Sequence, residues 1–325
     1  MVKGPSQLRQ VASRAGVSVA TASAALRGVG RISPATVARV RAVAREQGYR
    51  GDDSAVGLGS SVAFILDLNV ASGTGQAPAL WWPRMLVAAM SELVSHGVVV
   101  CMVPADHAEL AGSIEADAVV CFELPEGGAV IPESLPAETP CLVAGTVADD
   151  GRLVSHIAPS HEIPIRLAFD HLVKAGAKMP ALVTSKSQLS YVTSSTDSYR
   201  SWCDRTGHDA VVIEVGPGVD LESELAAHFS NGVDAVYSLA GETEVMLDRI
   251  ESTGWRVPDD VLFAAQSEGV LERLLQPSVT TVSYDGASVG KRIAQSLLVG
   301  IRTGRCVDVE LHPRLAVRES TTRRH

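Results

Sequence analysis

The chain is poor in aromatic residues: Phe, Trp and Tyr make up 4% of its 325 positions. Hydrophobic residues still reach 46%, so Val, Ala, Leu and Ile must build the core, and there is enough apolar material for one. Long hydrophobic runs are missing. No stretch approaches the ~18 apolar residues of a membrane span. The opening "MVKGPSQLRQ" lacks the apolar segment of a secretory signal, and a cytoplasmic location is expected. Paired cysteines are missing too. Cys101, Cys121, Cys141, Cys203 and Cys306 are scattered singly, with no CxxC. That argues against a disulfide framework or a zinc site and for buried, inert thiols.

Catalytic motifs are equally scarce. There is no P-loop, no GxSxG and no HExxH, and the nine histidines are dispersed. "ASGTG" (71–75) is a GxG with no helix opening on it, too little for a dinucleotide site. Asp149-Asp150 and Asp259-Asp260 fit loops and caps, and Glu242 and Glu244 suit a helix start, where the dipole favours acids. The expectation is no enzyme, no metal and no cofactor.

Acidic residues are almost absent from the first fifty positions. Lys3 and eight arginines stand there against Glu46 alone, a charge of +8. The other 275 residues hold nineteen basic and thirty-six acidic residues, a charge of −17. A compact basic head on an acidic body points to a nucleic-acid partner for the head; a solvated arm is the alternative. Against the arm stands helical periodicity. Leu8, Val11, Ala12 and Ala15 share one helix face after a possible N-cap at Ser6, and Gly16 stops that helix. Ser18 can cap a second helix to about Leu26, with Ala22, Ala25 and Leu26 on one face and Ala20, Ser23 and Ala24 on the other. Ser33-Pro34 starts a third, to about Gln47, with Val37, Val40 and Val43/Ala44 inward. Three short helices with a tight Gly turn between the first two form a helix-turn-helix. Small residues along "VSVATASAAL" (17–26) let the second helix approach base edges closely. The hydroxyls of Ser18, Thr21 and Ser23 can bond phosphates, and Val19 and Ala20 can touch thymine methyls.

"LRQVASRAGVSVATASAALRG" followed by "RISPATVARVRAVAREQGY" resembles the DNA-binding head of the LacI/GalR family of bacterial transcription regulators, without a gap over about residues 6–50. The resemblance places base readers at Val19, Ala20 and Ala24 and adds Thr36 of "S-P-x-T" to the DNA-contact set. Family members usually carry Arg at the third reader and Asn where Arg27 stands. Ala24 cannot make the bidentate contact of Arg to guanine, so either Arg27 or Arg31 replaces it, or sequence is read by shape. Residues 51–61, "GDDSAVGLGSS", have the composition of a flexible linker. The resemblance implies instead a short hinge helix, with Ala55 and Leu58 at the hinge positions and Leu58 as a minor-groove wedge.

From Val62, apolar runs such as "VAFILDL", "GVVVCMV", "DAVVCFE", "TPCLVAG", "MPALVT", "DAVVIEV", "DAVYSLA" and "VLFAAQ" alternate with amphipathic stretches. That pattern predicts an α/β body of doubly wound parallel sheets in two lobes with a cleft between them. "HLVKAGAKMPALVTS", "GWRVPDDVLFAA", "PSVTTVSYD" and "LAVRES" look like the family's periplasmic-binding-protein-like effector domain. The resemblance implies crossings near Ala158, Tyr284 and Pro313. The expected division is a head at 1–50, a hinge at 51–61 and a body at 62–325. The body would have one lobe of about 62–158 and 286–312 and another of about 159–284 and 313–325.

The positions aligned with the family's polar cleft residues are Ser160–Ile163, Ser195, about Ala240 and Gly241, and Ser267, so most groups suited to a polyol are gone. Trp81 and Trp82 are placed at the cleft mouth, with core or dimer-interface packing as their alternative. Ser160, Ser185, Tyr191, Ser195, Gln266 and Ser267 complete the expected effector set, with Glu268 a weaker member. A simple sugar is not the expected effector; a less polar or amphiphilic ligand suits these residues, as does a cleft that has lost its ligand. The function implied is a dimeric DNA-binding regulator, a repressor of an inverted-repeat operator. The alternatives are an effector-independent regulator controlled by a partner protein or by abundance, and a small-molecule-binding module with a vestigial head.

Overall fold

The structure, a computed structural model, describes residues 6–27, 32–47, 60–67, 81–124, 128–148, 151–240 and 242–323. Its N-terminal part holds α1 (Ser6–Arg14), α2 (Val19–Arg27) and α3 (Pro34–Glu46). Gly16 sits at φ +66° in the turn between α1 and α2, a conformation that favours glycine. The Oγ of Ser18 accepts from the Thr21 backbone N–H at 3.0 Å and that of Ser33 from Thr36 N–H at 3.2 Å, so both serines cap the helices they precede. Val11, Ala12, Ala15, Ala22, Ala25, Val40 and Ala44 form the small core. Alanines dominate because three short helices meet at close range.

The body contains two six-stranded sheets. The first comprises β1 (Ser61–Leu66), β2 (Val99–Pro104), β3 (Ala118–Phe122), β4 (Cys141–Ala144), β5 (Val154–Pro159) and β11 (Val309–Leu311), in the order β11-β5-β4-β3-β1-β2. The second comprises β6 (Pro180–Ser185), β7 (Val212–Val215), β8 (Ala235–Ser238), β9 (Leu262–Gln266), β10 (Thr280–Ser283) and β12 (Arg314–Ala316), in the order β12-β10-β9-β8-β6-β7. Strands such as "AVVCF" and "PALVTS" are buried along their whole length, as parallel strands covered on both faces must be. One strand departs from the all-parallel expectation: β12 runs antiparallel to β10. It enters the second sheet two residues after β11 leaves the first, and pairs at the sheet edge beside β10.

Helices cover both sheets: α4 (Trp81–Ser95), the short α5 (Leu110–Ser113) and α10 (Gly286–Thr303) in the first lobe, and α6 (Glu162–Lys174), α7 (Ser190–Thr206), α8 (Leu221–Ser230) and α9 (Thr243–Ser252) in the second. The chain passes between the lobes three times: from β5 to α6, from β10 to α10, and from β11 to β12. Gly290 lets α10 lie directly on α4, since a Cβ there would stand 2.1 Å from the Met85 carbonyl oxygen. In the second lobe Phe169, Tyr199, Trp202 and Tyr237 pack ring against ring, with the Phe169 and Tyr199 centroids 4.5 Å apart. Their polar tips are satisfied: Tyr199 Oη donates to the Pro180 carbonyl at 2.8 Å and Trp202 Nε1 to Asp170 at 2.8 Å. The cysteines are free thiols; four are buried, while Cys101, on edge strand β2, is half-buried. Among the described residues no helix is long and apolar enough to cross a membrane.

Candidate functional site

Two surfaces carry the expected functional residues. On the head, Ser18, Val19 and Ala20 are exposed, and Thr21, Ser23 and Ala24 are half-buried. Together they border the outward side of α2, opposite the buried Ala22 and Ala25. The Ser18 and Thr21 hydroxyls also bond each other at 2.8 Å, so the cap orders the groups that would meet phosphate. Thr36 is partly buried and its hydroxyl bonds Ser33 Oγ at 2.8 Å. Two arginines of the head also have partners within it. Arg39 Nε donates to the Ala15 carbonyl at 3.0 Å, tying α3 to the end of α1, and Arg14 stands 3.7 Å from Glu46. Arg27 ends α2; its side chain, and Arg31, Ala55 and Leu58 entirely, lie outside the described residues, as do "ASGTG" and Asp149-Asp150.

Between the lobes lies a cavity of about 170 Å³. The first lobe contributes Trp81 and Trp82 from the start of α4, Phe122 and Glu123 from the end of β3, and Gly145 after β4. The second contributes Ser185 from the end of β6, Leu189, Ser190 and Tyr191 at the start of α7, and Gln266, Ser267 and Glu268 at the end of β9. Tyr284 and His161 line it at two of the crossings. The cavity therefore sits at strand carboxyl ends, where doubly wound sheets place ligands. Of the expected effector residues, Trp81, Trp82, Ser185, Tyr191, Gln266 and Ser267 line it. Ser160 and Ser195 do not. Ser160 lies just before α6, its Oγ accepting from Ile163 N–H at 3.3 Å, and its carbonyl accepts from Tyr284 Oη at 3.2 Å. Ser195 lies one turn along α7 from Tyr191 and is buried.

The cavity is walled by rings. Trp82 meets Phe122 edge-on at 4.9 Å and Trp81 edge-on at 5.2 Å. Burial pushes the Tyr191 and Tyr284 hydroxyls well above the ordinary phenol range, and it pulls His161 down, with the nearby Glu123 carboxylate partly opposing. Three buried polar atoms of the lining, Trp81 Nε1, His161 Nδ1 and Tyr191 Oη, have no hydrogen-bond partner among the described residues.

Sequence reasoning passed over Phe122 and Glu123, reached His161 only within the aligned stretch Ser160–Ile163, and ranked Glu268 low. The two glutamates bridge the lobes. Glu123 Oε2 accepts from the backbone N–H of Ser190 at 2.9 Å and from its hydroxyl at 2.6 Å, across the cleft. Glu268 Oε2 accepts from Arg84 Nε of α4 at 3.0 Å and both its oxygens accept from Gly286 N–H at 3.1 Å. Ser267 donates to Glu272. Gly145 makes room for Glu123: it sits at φ +98°, and a Cβ would lie 2.5 Å from the Glu123 Cβ. A glycine after a buried strand, opposite an acid ending the neighbouring strand, was the available signal.

A three-helix head on a two-lobed body with an interlobe cleft is the architecture of a DNA-binding domain joined to a ligand-binding domain. Residues 7–52 match the family model for bacterial regulatory proteins, lacI family, and residues 169–321 that for the periplasmic binding protein-like domain. The chain belongs to the lacI family of bacterial transcription regulators. No curated protein matches it. Among solved structures it is similar to the transcriptional regulator CelR in complex with cellobiose, at 21% identity and a TM-score of 0.62 over 96% of this chain and 99% of that one. It is similar to the lac repressor dimer bound to operator and the anti-inducer ONPF, at 18% identity and a TM-score of 0.63 over 97% and 99%. A PurR family regulator from Vibrio parahaemolyticus aligns at 17% identity and a TM-score of 0.64 over 81% and 100%.

Proposed function

We propose that the protein is a homodimeric repressor that binds an inverted-repeat operator through its head and is controlled by a small molecule held in the interlobe cleft. The observation that carries the proposal is the outward side of α2: a capped helix with exposed Val19 and Ala20, on a segment whose charge is +8. A backbone bordered by small side chains can enter the major groove closely, while the surrounding arginines meet phosphates. The head's charge speaks against a vestigial head.

Support for self-association comes from one edge of the first lobe. Val87 and Val94 of α4, Val99 and Met102 of β2, and Leu110 and Ile114 at α5 are exposed, and β2 is the edge of its sheet. An exposed apolar edge is what a two-fold partner covers. In this reading the arginines near α2 and the wedge residue Leu58 set the operator's specificity. A ligand that binds one lobe arrangement better shifts the pair of heads, and with them operator affinity.

A second reading, an effector-independent regulator, is favoured by one observation: Glu123 and Glu268 by themselves bridge the lobes. Genomic footprinting of the bound sites, followed by thermal melts against a metabolite panel, tests both. The proposal expects footprints on inverted repeats and at least one metabolite that both raises the melting temperature and changes operator affinity. Footprints with no such metabolite leave the effector-independent reading; no footprint overturns both.

A further inference from the structure

We infer that the cleft is built for a compact organic ammonium ion, an apolar ring or branched alkyl group carrying one protonated amine, with Glu123 as its counter-charge. The inference rests on the cleft being the effector site and names the chemistry it selects.

Size comes first. A cavity of about 170 Å³ is close to the ~150 Å³ known to admit a benzene-sized group, and below the ~300 Å³ at which drug-sized pockets begin. One ring with a short chain fits it; a disaccharide does not.

The walls come second. The chain has only four Trp, five Tyr and five Phe. Five of these fourteen, Trp81, Trp82, Phe122, Tyr191 and Tyr284, line this one cavity. Scarce residues gathered from α4, β3, α7 and the β10–α10 crossing offer several ring faces to one occupant. Aromatic faces attract ammonium groups, and most strongly where water is excluded.

Charge decides between ligand classes. The lining includes two carboxylates, Glu123 and Glu268, and no Lys or Arg. Its histidine, His161, is held toward the neutral form by burial. Glu268 is already matched by Arg84. Among the described residues Glu123 receives hydrogen bonds only from neutral donors: Ser190, Thr146 Oγ1 at 3.2 Å and Gly128 N–H at 3.4 Å. Its Oε1 accepts the two longer and weaker of these bonds, which a charged ammonium donor would displace. His161 Nδ1, without a partner, can accept a second N–H from the same group. A phosphate or carboxylate would meet the Glu123 carboxylate with no cation among the described lining residues to offset it. A neutral polyol would set its hydroxyls against these rings and leave the Glu123 charge unmatched.

Glu123 also gives such a ligand a route to the lobes. Its Oε2 holds Ser190, the first residue of α7, from across the cleft. A cation bound at Oε1 would add to the hold between the lobes rather than replace it, so the ammonium favours the closed arrangement.

The test uses three probes that share a ring and chain: phenethylamine, phenethyl alcohol and phenylacetate. Calorimetry on the full chain should show the amine binding most tightly and phenylacetate not at all. Glu123→Gln, whose amide oxygen can still accept from Ser190, should weaken the amine at least about tenfold and leave the alcohol within about threefold. Trp82→Leu, checked by its melting curve, gives a second route and should weaken the amine more than the alcohol. If the alcohol or phenylacetate binds as well as the amine, or Glu123→Gln leaves the amine unchanged, the ammonium assignment is overturned and the cleft remains a ligand site of another class. If none of the three binds, the assignment is overturned as well, and the metabolite panel alone decides whether the cleft takes any effector.

Discussion

On the proposed reading the head and the cleft recognise their partners by opposite means. The head is basic, and the side it offers is small-residued and bordered by hydroxyls; its specificity would come from how closely a helix backbone approaches a surface. The cleft is lined by aromatic rings and two carboxylates, with no Lys or Arg among the described lining residues; its specificity would come from shape and from one carboxylate, Glu123. The head's surface is built by nine consecutive residues, Val19–Arg27. The cleft is assembled from segments as far apart as Trp81 and Tyr284. A local surface can change its reading residue without changing its fold. A surface at the meeting of two lobes is tied to their closure, and so can report to the head.

That contrast can be broken most forcefully with salt. Two heads that neutralise roughly six to ten phosphates should lose about 10³–10⁵ in DNA affinity between about 50 and 200 mM salt, measured by fluorescence anisotropy. Ligand binding in the cleft, enclosed and screened less, should change far less across the same range. Equal slopes would erase the distinction.

Gly290→Ala probes the body alone. The new Cβ meets the Met85 carbonyl of the packed α4 at 2.1 Å, so α4 and α10 must separate. A cost of about 1–3 kcal/mol is expected, read as a lower melting temperature of the body, with DNA affinity at low temperature retained. An unchanged melt would mean that the two helices are not locked together beneath the cleft.

Ala24→Arg probes the head alone. Restoring a long donor on α2 should shift the preference at one operator position by about 1–3 kcal/mol, visible when bound sites are selected from random duplexes. Identical selected sites would show that Ala24 does not face the groove. The smallest effect belongs to Ser18→Ala, which removes the cap of α2. It should cost about 1 kcal/mol of head stability, measured by helical circular dichroism, and leave the cleft's ligand affinity untouched.

The same contrast explains what the sequence made legible. Helix periodicity and the Ser18 and Ser33 caps are local signals, and α1, α2 and α3 follow them closely. The apolar runs that became β1, β3, β6 and β9 were legible because strands buried on both faces must be apolar throughout. The short β12 was not: "RLA" has no buried run, and its antiparallel pairing joins it to β10, whose Thr281 meets Ala316, a contact no local pattern shows. In the cleft, Trp81 and Trp82 stood out by rarity. Glu123 did not, because an acid after "AVVCF" reads as a strand end. Its partner Ser190 lies sixty-seven residues away, and no periodicity connects them. Ser195 was placed in the cleft by alignment alone, and α7 turns it into the interior.

The central claim, that two heads on one dimer read DNA together, is tested most directly by comparing the full-length protein's affinity for a selected inverted repeat with that for one half-site of the same sequence. The account predicts that the inverted repeat is bound far more tightly, and that loss of either half-site abolishes most of the gain. Equal affinity for the half-site and the full repeat would contradict it.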